Sequence, residues 1–401
     1  MGGLDVGAAG VAGVDGVVGL EGVGGGVDGV GGLVVLVQGL VDVGWGVPLW
    51  CVTRGGVSVG RSDGVVGAVG AGVWGLGRVV GLEFPGWWGG LVDVPGVLDG
   101  RAVGRLVSVL SGVWGEDQVA VRGSGVFGRR LVRGVLGGVS GEGSRGGSGS
   151  GDGVGGVGGW CPRGTVLVTG GTGALGGAVA RWLAGRGVER FVLTSRRGLG
   201  APGAVELRDE LVGLGVVVDV VACDVADRGA LAGVLGGISG DCPLTGVVHA
   251  AGVDRAVGLG EVGSVDVGEV WGAKVVGAVN LDVLTAGVEL DAFVVFSSIA
   301  GVWGSAGQGV YSAANAFVDG LVEGRRGRGL VGTSVAWGPW AGGGMVVDSV
   351  EAEGYLRRRG LVSMDMGLAV GALGRAVDGG EVCVTVADVE WDRFGATFTS
   401  G

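Results

Sequence analysis

Ser298, Tyr311, Asn315 and Lys274 are the side chains of this 401-residue chain whose types and spacing could do chemistry. Ser298 closes a β-branched apolar run, and Tyr311 opens a helical pattern farther on, with Asn315 one turn later on the same helix face. A serine hydroxyl and a phenol that converge on a carbonyl can hydrogen-bond its oxygen, the phenol giving a proton as hydride reaches carbon. A free phenol titrates at about 10, so such a donor calls for a cation nearby. Lys274, in WGAKVVGA, is the only lysine; all other side-chain base except His249 is arginine, which does not give up its proton. A lone helical lysine is ordinarily a solvated surface charge, but the exclusion of lysine everywhere else favours a functional one. The sole histidine, His249 in VVHAAG, has no identifiable triad partner and reads as strand-end packing.

A second constellation suits a dinucleotide. TGGTGALG, Thr169 to Gly176, follows a short apolar run and precedes the helical stretch GAVARWLAGRG. Gly170, Gly173 and Gly176 would let the backbone turn, approach a pyrophosphate and pack helix on strand, while the helix N-terminus offers free N–H groups. In a chain so rich in glycine the spacing alone is weak, and its context carries the reading. The next apolar run ends TSRRG, with Ser195 and Arg196 where an NAD-preferring fold places an acid. A hydroxyl and a permanent cation suit a 2′-phosphate, Arg197 adds charge, and NADP is favoured over NAD. In CDV, Asp224 and Val225 either meet the adenine or begin the next helix as cap and first turn.

The elements that must position these residues follow from periodicity. TVLVTG, RFVLTS, VVVDVVACD, GVVHAAG, AFVVFSS, GTSVAWG and EVCVTVAD alternate with segments of helical period. Continuous apolar strands separated by helices predict an α/β fold, a doubly wound parallel sheet of Rossmann-like type, over residues 160–401. Weaker alternation in residues 1–159 (LVVLV at Leu33–Val37, PLWCVT, GGLVDV, QVAVR) predicts a smaller α/β unit without a phosphate loop. It closes in a Gly/Ser-rich linker at 134–159.

Composition removes several classes. Glycine numbers 101 and proline 7 with no triplet repeat, which excludes collagen. An apolar share of 47% and a mean hydropathy of +0.57 exclude disorder as the general state. A net charge of −11 disfavours nucleic acid and anionic membrane as partners. The five cysteines, an odd number without CxxC spacing, fit reduced thiols and a cytoplasmic location, and no metal site is expected. The opening MGGLDVGAAG has no basic-then-apolar signal pattern. The uncharged run Ala292–Val318 is long enough to span a bilayer, but its serines, glutamine and asparagine suit a site rather than lipid.

Taken together, TGGTGALG, TSRRG, CDVAD, VVHAAGV, AKVVGA, FSSIAGVWGSAGQGVYSAANAF and SVAWGPWAGGGM resemble the ketoreductase domain of modular type I polyketide synthases, a branch of the short-chain dehydrogenase/reductases. PLWCVTRGGVSVG, VWGLGRVVGLEFPGWWGGLVDVPG and GEDQVAVRGSGVFGRRLVR resemble that family's structural subdomain, a truncated Rossmann-like unit that binds no cofactor. The resemblance implies Tyr311 as proton donor, Ser298 as the carbonyl-binding serine, and Lys274 and Asn315 as the catalytic lysine and asparagine. The lysine and asparagine have exchanged places relative to most short-chain reductases, as is typical of this branch. It implies NADPH contacts at Gly170, Gly171, Thr172, Gly173, Leu175, Ser195, Arg196, Asp224, Val225, Lys274, Phe296 and Ser297. Gly338, Pro339 and Trp340 match the turn near the nicotinamide, and Met345 begins a substrate lid that is mobile in relatives.

A subtype is implied as well. B-type relatives carry Leu-Asp-Asp after HAAGV, where this chain has Asp254, Arg255 and Ala256. Trp303 matches the A-type tryptophan, and Gln308 stands where epimerising A-type members have histidine. The implied activity is reduction of a β-ketoacyl thioester, carried on an acyl carrier protein among the other domains of a polyketide synthase, to the L-hydroxyl without epimerisation, as in antibiotic biosynthesis. Two rivals stand: a silent cofactor-binding or structural module of the same multienzyme, and a free-standing short-chain reductase of another ketone. The glycine excess falls on helical and surface positions, so the expectation is a normal site on a weakly reinforced scaffold.

Overall fold

The computed structural model describes residues 17–19, 27–60, 63, 67–134, 160–343 and 350–398. Most of the glycine/serine linker expected at 134–159 lies outside them. The chain forms two compact units that do not follow its order: residues 1–131, 252–286 and 297–330 make one, and 132–251, 287–296 and 331–401 the other.

The first unit is built on a five-stranded sheet. β1 (Val17–Gly19), β2 (Leu49–Arg54), β3 (Trp88–Val94) and β4 (Gln118–Arg122) run parallel in that order, and β5 (Gly125–Gly128) returns antiparallel to β4. Three of the apolar runs of this half are strands, while Leu33–Val37 lies inside helix α1 (Val27–Asp42), with Leu33, Val34 and Val37 buried. Helix α3 (Gly100–Leu110) packs Ala102, Val109 and Leu110 against Trp50, Val92 and Val119 of the sheet. After β2, where a dinucleotide fold would present backbone N–H groups to phosphate, Gly56 N donates instead to the buried carboxylate of Asp93 at 2.7 Å. Thr53 Oγ1 at 2.6 Å and Arg122 Nη2 at 2.7 Å complete that carboxylate's partners, so the turn is filled by the chain's own anion.

The same unit takes four further helices from later in the chain. These are α7 (Ser264–Trp271), α8 (Gly277–Leu284), α9 (Ile299–Trp303) and α10 (Gly309–Gly327), α7 and α8 being joined by a π-helical turn at Gly272–Val276. Helix α2 (Ala68–Glu83) is buried from Gly72 to Val80 and packs against α10. Close approach requires a residue without a side chain: a Cβ on Gly75 would lie 2.5 Å from Ser312 O and 2.7 Å from Ala316 Cβ. On its other side α10 is held to α8 by Asp282, which accepts from Arg325 at 2.8 Å and Arg328 at 2.7 Å.

The second unit carries the doubly wound sheet. Its strands are β6 (Thr165–Thr169), β7 (Arg190–Ser195), β8 (Val217–Ala222), β9 (Leu244–His249), β10 (Ala292–Ser298), β11 (Thr333–Trp337) and β13 (Cys383–Val386), in spatial order β13-β11-β10-β9-β6-β7-β8. All seven expected runs are therefore strands. Winding proceeds outward from β6 to β8, then resumes at β9 on the other side of β6, which puts the topological switch beside β6. Helices α4 (Ala174–Ala184), α5 (Ala204–Gly213), α6 (Arg228–Gly236), α11 (Val350–Arg358), α12 (Met366–Asp378) and α13 (Trp391–Phe398) belong to this unit, with a short antiparallel pair, β12 (Leu361–Val362) and β14 (Asp388–Val389). Val179 and Leu183 of α4, Leu207 and Leu211 of α5 and Leu373 of α12 join Val166, Phe191, Leu193, Val248 and Val294 of the strands in one core.

Candidate active site

The first unit gathers Ser298, Tyr311, Asn315 and Lys274, the residues expected from the sequence to carry acid–base chemistry. Strand β10 ends at Ser298, whose Oγ accepts from Ala300 N at 3.2 Å and caps α9. Tyr311 lies in the first turn of α10 and is buried. Asn315, one turn on and fully buried, donates from Nδ2 to Tyr311 O at 2.8 Å, while Ser297 Oγ donates to Asn315 O at 3.2 Å. The Oδ1 of Asn315 is buried without a hydrogen-bond partner. Burial pushes the Tyr311 phenol up to about 12; a hydrogen bond from Ser298 lowers it, the Asp254 carboxylate raises it, and one from Asn315 lowers it. A phenol so placed is protonated at neutral pH and can act as a donor.

Lys274 sits in the π-helical turn, only 3% exposed. Burial lowers its ammonium to about 8, against an opposing pull from the Asp319 carboxylate. A widened turn of this kind shifts the helical register locally and recurs at functional sites. The lone lysine is thus an interior residue, which excludes the surface-charge reading.

Gln308 precedes α10 and gives its side chain no capping role; the Nε2 donates to Asp254 Oδ2. The Oδ1 of Asp254 is buried without a hydrogen-bond partner, and burial raises this carboxyl, with bonds from Gln308 and the Arg255 backbone working the other way. In the sequence Asp254 stood out only as a departure from the B-type element. No spacing rule links it to Gln308, 54 residues away. Trp303, the last residue of α9, is half-buried.

The second unit carries the glycine-rich turn. Gly170 has φ +65°, and a Cβ there would lie 2.9 Å from Ala251 Cα. A Cβ on Gly176 would strike Gly170 O and lie 2.8 Å from Gly171 Cα, so the third glycine lets α4 close onto the loop. Gly171 N donates to Thr194 O at 3.1 Å, Thr172 lies half-buried in the turn, and Leu175 is the second residue of α4. Gly173 caps α4 with no side-chain acceptor for the first-turn N–H groups. At the end of β7 the Ser195 Oγ is buried without a hydrogen-bond partner, and Arg196 and Arg197 are exposed on the turn that follows.

Asp224 is exposed and accepts from Ala226 N at 3.0 Å. The cap of α6 is Asp227, which accepts from Gly229 N at 2.8 Å, so Asp224 and the buried Val225 lie in the loop after β8. Phe296 packs its ring 5.4 Å from Trp337 and 6.1 Å from Trp340. Gly338, Pro339 and Trp340 follow β11, and the indole Nε1 of Trp340 is buried without a hydrogen-bond partner. His249, fully buried, has Nδ1 2.7 Å from Thr169 Oγ1 at the end of β6, a strand-end packing role. Met345 lies outside the described residues. Among the described residues no cluster of His, Cys, Asp and Glu could hold a metal ion, and no helix is long and apolar enough to cross a membrane.

Two family models match the chain: the KR domain over residues 164–342, and the Rossmann fold domain of the polyketide synthase extender module SpnB over residues 29–131. Polyketide synthase GfsA of Streptomyces halstedii is 51% identical over 92% of this chain, and pikromycin polyketide synthase component PikAIII of Streptomyces venezuelae is 48% identical over 91%. The chain spans 5% and 22% of those two relatives. A solved structure described as "Structure of A-type Ketoreductases from Modular Polyketide Synthase" is 44% identical, with a TM-score of 0.85 over 93% of this chain and 75% of that one. With both halves matched and the sheet, the glycine turn and the group of half-buried Ser298 with buried Tyr311 and Asn315 in place, the chain belongs to the ketoreductase domains of modular polyketide synthases.

Proposed function

We propose that this chain reduces a β-ketoacyl thioester, held on an acyl carrier protein, to a β-hydroxyacyl thioester with NADPH, in the cytoplasm and beside other domains of a polyketide synthase. The observation that carries the reading is the grouping of half-buried Ser298 with buried Tyr311 and Asn315. Ser298 holds the substrate oxygen, and Tyr311, kept protonated by burial, delivers a proton from its phenolic oxygen as negative charge develops there. Asn315 orients the tyrosine turn through its bond to Tyr311 O. Lys274 supplies a buried positive charge.

The second unit fits a dinucleotide. Gly170, Gly171 and Gly176 of the turn have no room for a Cβ, the α4 N-terminus has no side-chain cap, and the buried Ser195 Oγ lacks a partner. Ser195 and Arg196 would receive a ribose 2′-phosphate, which favours NADPH over NADH. When bound, NADPH supplies the hydride that reaches the carbonyl carbon.

Trp303, the Asp254–Gln308 pair and the likeness to an A-type structure support the L-configured product without epimerisation. The test is NADPH consumption with a short β-ketoacyl thioester, followed by chiral chromatography of the alcohol. Tyr311→Phe is expected to lower turnover by about 10²–10⁴-fold. Turnover within a few-fold of the parent would remove Tyr311 from the proton-transfer role, and NADPH binding without any turnover in the parent would favour a silent module.

A further inference from the structure

Helix α2, supplied by the N-terminal half, ends in Glu83, and its carboxylate is engaged at both oxygens. Oε2 accepts from Leu259 N at 2.8 Å and Oε1 from Gly307 N at 2.8 Å. These amides belong to two loops of the first unit, 176 and 224 residues away in sequence. The first loop runs from Asp254 to Val262, and the second immediately precedes Gln308 and α10. Val257 N donates to Gly307 O at 2.7 Å, and Gln308 Nε2 donates to Asp254 Oδ2. Glu83 therefore closes a ring of contacts: carboxylate to Leu259, back along the loop to Val257 and Asp254, across to Gln308 and Gly307, and back to the carboxylate.

The ring bears directly on the tyrosine turn. Gln308 is the residue from which the helix bearing Tyr311 starts, and the Asp254 carboxylate raises the Tyr311 phenol. Backbone N–H bonds to a carboxylate are charge-assisted and stronger than neutral ones, so two of them from one side chain fix the spacing of the loops that carry them. Gln38 of α1 adds support from the same half, donating from Nε2 to Leu259 O at 3.0 Å and Val262 O at 2.9 Å, but it reaches only the first loop. Glu83, unlike Gln38, reaches both.

We propose that Glu83 is a positioning residue: by holding the Asp254 loop and the Gly307–Gln308 turn in register, it fixes the wall beside Tyr311 and thereby the configuration of the alcohol formed. The consequence for configuration rests on the reductase reading above; the clamp itself does not. The experiment compares the parent with Glu83→Ala and Glu83→Gln, and with Leu373→Ala, a core truncation in the other unit that controls for lost stability.

Two quantities are read. One is hydrogen exchange at the amides of Leu259 and Gly307. The other is the ratio of alcohol enantiomers from a short β-ketoacyl thioester with NADPH. Glu83→Ala is expected to speed exchange at both amides at least tenfold and to lower the enantiomer ratio at least tenfold. Glu83→Gln keeps one acceptor oxygen, so it should fall between, and it decides the matter if the alanine variant does not fold. Leu373→Ala should leave the ratio at the parent's value. Unchanged exchange at both amides, an unchanged ratio despite faster exchange, or an equal loss of ratio in Leu373→Ala would each overturn the inference. A parent that consumes no NADPH would overturn the reductase reading instead, and the exchange measurement would still read the clamp.

Discussion

Lys274 and Tyr311 show how burial sets the working state of single residues. An unfolded lysine keeps its proton to about 10.5, whereas Lys274 in the native chain gives its proton up at about 8. Between those values the unfolded chain holds more protons, so the native state gains stability as pH rises, and the burial penalty is at its full size below about 8. Tyr311 acts the other way, holding its proton to about 12 where a free phenol ionises at about 10, so its contribution is lost as pH rises through that interval. Cys51, buried and pushed up to about 12 from 9.0, also costs stability above its free value. Lys274→Met isolates the first of these. In urea unfolding between pH 8 and 10, the parent minus variant difference should rise in favour of the parent by up to about 1.4 kcal/mol per pH unit. A flat difference would mean that Lys274 is solvated.

Packing between elements decides where these residues stand. Helix α10 bears Tyr311 and Asn315, and it lies against α2 at the point where Gly75 leaves no space for a methyl group. Gly75→Ala should therefore push the helices apart, destabilising the chain by about 1–3 kcal/mol and lowering turnover more than cofactor affinity, since the glycine turn belongs to the other unit. Thermal unfolding with NADPH titration separates the two effects. The strands of the second unit were legible because a parallel sheet covered on both faces demands continuous apolar runs. The run at Leu33–Val37 belongs to a helix instead, because a short apolar stretch has no periodicity that separates a strand from a buried helical turn.

Across the whole molecule, the glycines divide into those the fold requires and those it does not. A Cβ on Gly104 of α3, Gly233 of α6 or Gly268 of α7 would meet nothing within 4 Å. At each of these helical positions glycine costs backbone entropy without gaining a contact. Gly104→Ala, Gly233→Ala and Gly268→Ala should each stabilise by about 0.4–1 kcal/mol. Combined, they should raise Tm with turnover unchanged, as differential scanning would show. A fall in Tm would mean that these helices are held in place by something other than their own propensity.

The sequence by itself determined the fold class, and it singled out the glycine turn, the Ser195–Arg196 pair and Ser298, Tyr311, Asn315 and Lys274 as candidate site residues. Each is written in local order: strand periodicity, a loop between strand and helix, a one-turn spacing, or the uniqueness of a residue type. Only the tertiary structure decided that Lys274 is buried, that Asp254 takes the Gln308 amide, that Asp93 fills the turn after β2, and that Glu83 binds two distant loops. The grouping of residues 252–286 and 297–330 with the N-terminal half also has no composition shift to mark it. Contacts between residues far apart in sequence depend on how helices and sheets pack, and one chain read alone carries no periodicity that encodes them.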